Sequence, residues 1–191
     1  RNAEGLAEDV RYYGEWMRDQ AYDQISHLYP KVTVLDQSTS RSANVIAWIW
    51  ARTVPSPDPA FSDTDVPLVS NFVLSSKKGK EVWIDPVVDR HSKKITYRIR
   101  TGGTETELAN ASSGTAAGKR QAFYCLMSGS PISYEYIRQS GQTGLIKQVL
   151  LAIVAEGKRG RIYLEPDQDH VRIAEEVKAD WRPTTKLHGK T

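Results

Sequence analysis

The chain has 191 residues, 39% of them hydrophobic and 26% charged, with a formal net charge of +3. Such a chain can bury one substantial core in water, and its slight positive balance permits an anionic partner without requiring one. A single cysteine excludes an internal disulfide framework, and no apolar run approaches the ~18 residues of a membrane span.

The first residues, Arg1-Asn2-Ala3-Glu4-Gly5, lead into a polar amphipathic segment rather than the apolar heart of a signal peptide. The chain opens without an initiator Met and reads as a piece of something longer, with a reducing cytoplasm as its expected setting. Leu6, Val10, Tyr13, Met17, Ala21, Ile25 and Leu28 recur at spacings of three and four, which predicts one face of a helix ended by Pro30. Met17 and its aromatic neighbours are expected in the core. The expected organisation is therefore a helix over 1–30 packed on the rest, an α+β core over 31–179 and a frayed tail over 180–191.

Residues 31–43 are polar and read as a loop. Val45–Val54 is β-branched, aromatic and apolar on both parities, the mark of a central strand covered on both faces. The next stretch, PSPDPAFSDTDVP, holds four prolines in thirteen residues and is expected to lack regular structure. Leu68–Leu74 and Val82–Val88 read as strands joined by the basic turn Ser76–Lys80. Ile95–Arg100 alternates apolar with polar residues, as a strand with one wet face does. Residues 101–120 are rich in Gly, Ser, Thr and Ala and read as a mobile loop. Ser133 is placed to cap a short helix running through about Gln139, closed by Gly141. Gln148–Glu156 and Arg161–Leu164 form a hairpin around Gly157–Gly160, and Asp167 precedes a last helix carrying Val171 and Ile173. The short turns favour antiparallel pairing, so the fold class is α+β.

Residue chemistry alone offers no catalytic set. A structural zinc needs about four Cys or His ligands; here one Cys and four His (27, 91, 170 and 188) are scattered. His27 and His170 read as surface or helix-end residues, and Cys125 as a buried inert thiol rather than a nucleophile. No Gly-x-Ser-x-Gly elbow or phosphate-binding Gly-Lys-Ser/Thr loop is present. Gly157–Gly160 sits in a hairpin rather than before a helix.

Five segments carry a resemblance: HLYPKV (27–32), VIAWIWARTVPSPDPAF (45–61), VPLVSNFVLSSKKGKEVWIDPVV (66–88), YCLMSGSPIS with YIR (124–138) and AIVAEGKRGRIYL (152–164). In this order they resemble the central segment of the large adenine-specific DNA methylases that carry a zinc-ribbon-containing insert, a family often associated with phage defence. In its metal-binding members, the loop after the ARTV strand supplies Cys-Pro-x-Pro-x-Cys and a later knuckle supplies Cys-x-x-Cys-Gly. The matching positions here are Ser56, Phe61, Cys125 and Ser128, so the resemblance implies a degenerate zinc-ribbon-like knuckle without its metal. It also implies that Ser56 and Phe61 lie beside Cys125 and Ser128.

Amino-methylating enzymes use Asp/Asn-Pro-Pro-Tyr/Phe to hold a flipped base. Asp58-Pro59-Ala60-Phe61 and Asp85-Pro86-Val87-Val88 lack the second proline. No Gly-rich S-adenosylmethionine-binding turn follows a strand either. The resemblance therefore places methyl transfer and its S-adenosylmethionine in flanking parts of the parent chain, and makes this fragment non-catalytic and free of cofactor.

The expected role is an insert that contacts DNA or positions substrate beside the methyltransferase domain. Lys77, Lys78 and Lys80, Lys119 and Arg120, and Lys158, Arg159 and Arg161 are the candidate phosphate contacts. For any one cluster taken alone, the solvated tip of a hairpin is the favoured reading. The competing role is a scaffold that joins the methylase to partner subunits of a phage-defence complex. An independent enzyme is a third reading. A positive face holding two or more basic turns separates the first from the second.

Overall fold

The computed structural model describes residues 3–36, 39–118, 122–158, 160–177 and 184. They form two compact units, one spanning Lys31–Asp167 and the other drawn from both ends of the chain. In the latter, helix α1 (Ala3–Ile25) runs for 23 residues into a 3-10 turn at Ser26–Leu28, and helix α4 (Gln168–Glu176) begins right after Asp167. The periodicity located α1, but its stripe is exposed: Leu6 is 68% and Met17 64% accessible, against the expectation of core residues. A helical repeat of apolar residues specifies a face that gains from burial; it does not supply the surface that buries it. His170, read as a surface or helix-end residue, is buried. The tail expected to fray lies outside the described residues, apart from Thr184.

Every strand pair in the Lys31–Asp167 unit is antiparallel, and the fold class is α+β. Residues 31–43 are a hairpin, β1 (Val32–Asp36) with β2 (Thr39–Ala43), rather than a loop. Val32, Val34 and Ala43 are buried; an alternation of only two inward valines is too short to stand out from polar neighbours. The central sheet runs β11 (Gly160–Leu164), β10 (Lys147–Gly157), β3 (Val45–Pro55), β4 (Asp65–Leu68). β4 lies in the stretch expected to be irregular. Its Pro67, opposite Thr53, is accommodated because β4 is an edge strand. A second sheet runs β5 (Val73–Ser75), β6 (Val82–Asp89), β7 (Lys94–Thr101). The single strand expected over 68–74 is therefore split between the two sheets.

β3 buries side chains on both faces, as its composition required. Ala51 joins Leu151, Ala152, Ile84, Tyr97, Phe72 and Val69 in a cluster that binds the two sheets together. Val54 joins Val66, Cys125, Met127 and Ile132 in a second cluster. Each fully buried aliphatic side chain contributes roughly 1.5–3 kcal/mol of transfer free energy. Helix α3 (Tyr134–Gln142) covers the second cluster with Tyr136 and Ile137. Ser133 caps it by accepting from the Tyr136 N–H at 3.1 Å, and the Tyr136 hydroxyl donates to Pro55 O at 3.1 Å, fixing the helix to the end of β3.

The loop expected over 101–120 contains a helix, α2 (Glu105–Ser113). Its start is a reciprocal capping box: Thr104 Oγ1 accepts from the Glu107 N–H, and the Glu107 carboxylate accepts from the Thr104 N–H at 2.7 Å. Those hydrogen bonds, the backbone one foremost, hold the Glu107 carboxyl below its ordinary range. Ala111 packs into the inter-sheet cluster, so a helix of weak intrinsic preference is held by its cap and one small inward residue.

Candidate functional site

Two loops far apart in sequence meet at the end of β3. The first leaves β3 at Pro55 and is closed by backbone hydrogen bonds: Ser56 N–H donates to Thr64 O at 2.9 Å and Thr64 N–H to Phe61 O at 2.8 Å. Asp58 caps the short 3-10 turn between them through Oδ1, which accepts from Ala60 N–H at 2.9 Å. The prolines fix φ, and the carboxylate replaces a donor's lost partner, so this loop is rigid without regular structure. The second loop joins β8 (Phe123–Tyr124) to β9 (Pro131–Ile132). Cys125 N–H donates to Ser130 O and Gly129 N–H to Cys125 O, each at 2.8 Å, and Ser130 N–H donates to Ser128 Oγ at 3.2 Å.

Ser56 Oγ and Cys125 Sγ lie 3.2 Å apart, with the two residues only 2% and 1% exposed. Phe61 packs on the same cluster as Cys125. Three of the four positions singled out by the resemblance are thus gathered at one place, while Ser128 is engaged within its own turn. A thiol, two hydroxyls and a phenyl ring do not make a tetrahedral zinc site, since neutral hydroxyls are weak donors to zinc and the ring is none. Among the described residues no group of three or more His, Cys, Asp or Glu is placed to hold a metal ion. What the arrangement does is pack: a thiol–hydroxyl contact sealed by Val54, Val66, Met127 and Ile132.

The basic turns lie elsewhere. Lys77, Lys78 and Lys80 are exposed at the tip joining β5 to β6, a turn closed by Lys80 N–H donating to Lys77 O at 2.8 Å. Lys158 and Arg161 are exposed in the β10–β11 hairpin, where Arg161 faces Glu156 across the strands. Arg159, Lys119 and Arg120 lie outside the described residues. The Tyr163 hydroxyl donates to Leu74 O at 3.2 Å, which ties β11 to β5, so these two basic turns spring from neighbouring strands.

Two further cations were missed from the sequence. Arg98 and Arg100 alternate with the inward Tyr97 and Ile99 on the solvated side of β7, and Arg100 Nε pairs with Asp85 at 2.9 Å. Their alternation had marked a wet face; that they add charge to the sheet carrying the lysine turn depended on the β6–β7 register. The same region holds carboxylates that offset part of this charge: Glu81, which accepts from Gly79 N–H, and Glu105 and Glu107 at the start of α2. Gly102 N–H donates to Glu81 O, so the α2 start lies close to the lysine turn.

No family model matches the chain, and no curated protein or solved structure matches it either.

Proposed function

We propose that this chain is a non-catalytic module that contacts the phosphate backbone of DNA, the insert of an adenine-specific DNA methyltransferase whose catalytic parts lie in flanking sequence. The observation that carries the DNA reading is the pair of basic turns, Lys77–Lys80 and Lys158–Arg161, on strands joined through Tyr163 and Leu74. Lysines on exposed turn tips are flexible point charges suited to phosphates rather than to base edges. Support for the parentage is the 3.2 Å approach of Ser56 to Cys125, 69 residues apart, as the zinc-ribbon mapping requires. S-adenosylmethionine belongs to the flanking catalytic domain in this reading.

The test is fluorescence anisotropy of a labelled DNA duplex at two salt concentrations. The neighbouring carboxylates weaken the field, so affinity should fall in the ~10⁻⁴–10⁻⁶ M range of non-specific binding and drop steeply with salt. Reversing Lys77, Lys78 and Lys80 to Glu should weaken binding to every sequence alike and flatten the salt slope. Reversing Glu175 and Glu176 on α4 should not weaken it. Salt-independent binding, or none at low salt, would favour the scaffold reading instead. That second reading draws on the exposed apolar stripe of α1, including Leu6, Val10, Tyr13 and Met17.

A further inference from the structure

β4 pairs with β3 only over Arg52–Pro55, which leaves the same edge of β3 at Ile49–Ala51 without a partner strand among the described residues. The cause is local. Beyond Leu68 the chain turns away from β3: Val69 N–H donates to Thr115 Oγ1 at 3.0 Å, Thr115 N–H to Val69 O at 2.7 Å, and Phe72 N–H to Ala111 O at 2.7 Å. The backbone that would have continued β4 is thereby satisfied elsewhere. A groove of about 750 Å³ opens at the divergence, walled by Trp50, Leu68, Leu74, Phe123, Ile137 and Ile146. The Arg52 side chain also lines it, and its guanidinium makes no hydrogen bond or ion pair with the other described residues.

We propose that this groove accepts an extended peptide segment of a partner protein, which adds a strand to β3 at Ile49–Ala51. Three features select that occupant. An unpaired strand edge presents main-chain donors and acceptors that a peptide backbone satisfies and a lipid or aliphatic ligand does not. The apolar walls beside the edge take alternate side chains of such a strand. Arg52, across from Leu68 at the point where β4 ends, asks for a carboxylate on the segment. The partner segment is therefore apolar at alternate positions and acidic at the end that meets Arg52. This surface is independent of the basic turns, so it stands whether or not the chain binds DNA.

The experiment pans phage-displayed random heptapeptides on the full chain and resynthesises the enriched sequences. Enriched peptides should alternate apolar residues and carry an Asp or Glu. Methylating peptide nitrogens one at a time should cost more than tenfold in affinity at alternate positions and little at the others, because only every second N–H faces β3. Arg52→Glu, a change at an exposed side chain, should weaken acidic peptides more than tenfold and be rescued by a peptide with Lys in place of its acid. No enrichment, indifference to N-methylation at every position, or equal binding to Arg52→Glu would overturn the proposal. Decanoate binding in the groove with no peptide selected would overturn it too, in favour of a small amphiphilic anion.

Discussion

At the scale of single residues, two buried side-chain polar atoms, Arg41 Nε and Thr53 Oγ1, lack a hydrogen-bond partner among the described residues, and Thr53 is the one that lies in the core. Ser56 and Thr115 are buried with partners: Thr115 Oγ1 donates to Pro67 O and accepts from Val69 N–H. Thr53 is 2% exposed, and its hydroxyl has no hydrogen-bond partner among the described residues. A buried hydroxyl without a partner costs about 1–3 kcal/mol by comparison with a satisfied one. Valine has the same shape and keeps the β-branched preference of a central strand. Thr53→Val should therefore raise stability by about 1 kcal/mol, read as a higher urea midpoint with an unchanged slope. A lower midpoint would mean that the hydroxyl does bond in solution.

At the scale of elements, glycine decides one junction. Gly114 ends α2 at φ +57°, and a Cβ there would stand 2.2 Å from Val69 O and 2.8 Å from Asn71 N. Both obstacles are backbone, so nothing flexible can yield. Gly114→Ala should destabilise by more than about 2 kcal/mol, the sum of an unfavourable φ and an overpacked contact, measured by chemical unfolding. Because the clash falls on the segment that leaves β3 for Thr115, any residual folded protein should also show altered exchange of the Val69 and Thr115 amides. The same region shows what was legible in the sequence. β3, β6, β7, the β10–β11 hairpin and α3 announce themselves through long periodic runs and a Ser cap. α2 does not, since its face is a single alanine and its signal is the Thr104–Glu107 capping pair, which composition hid. β4 was hidden by Pro67, because whether a strand is central or at an edge is a property of the sheet. The meeting of Ser56 with Cys125 could be expected only through a resemblance, since no local rule brings together residues 69 apart. The groove at β3 was not legible at all: it arises from a strand that stops pairing.

At the scale of the whole molecule, the two clusters built around Ala51 and Val54 draw every member from Lys31–Asp167. A chain of residues 31–167 should accordingly fold alone, with near-UV circular dichroism in its tryptophan bands and one cooperative unfolding transition. Loss of both would show that the remaining residues are needed to hold the two sheets. The junction of those sheets also sets the response to alkali. Tyr97 is 7% exposed in the inter-sheet cluster, and burial pushes its phenol well above its ordinary pKa. Below about pH 10 the phenol is neutral in both the folded and unfolded chain and contributes no pH dependence. Above that, the unfolded chain loses the proton while the folded chain keeps it. The native state then binds more protons, and stability must fall as pH rises toward the folded pKa. The slope from one such group approaches about 1.4 kcal/mol per pH unit. Tyr97→Phe removes the titrating group and keeps the ring in the cluster. Urea unfolding at pH 8, 10 and 11.5 should show wild type losing stability across the upper interval faster than Tyr97→Phe, with the two converging at pH 8 apart from a constant offset. Equal losses in the two proteins would mean that the Tyr97 phenol ionises in place, and that the junction between the sheets admits water.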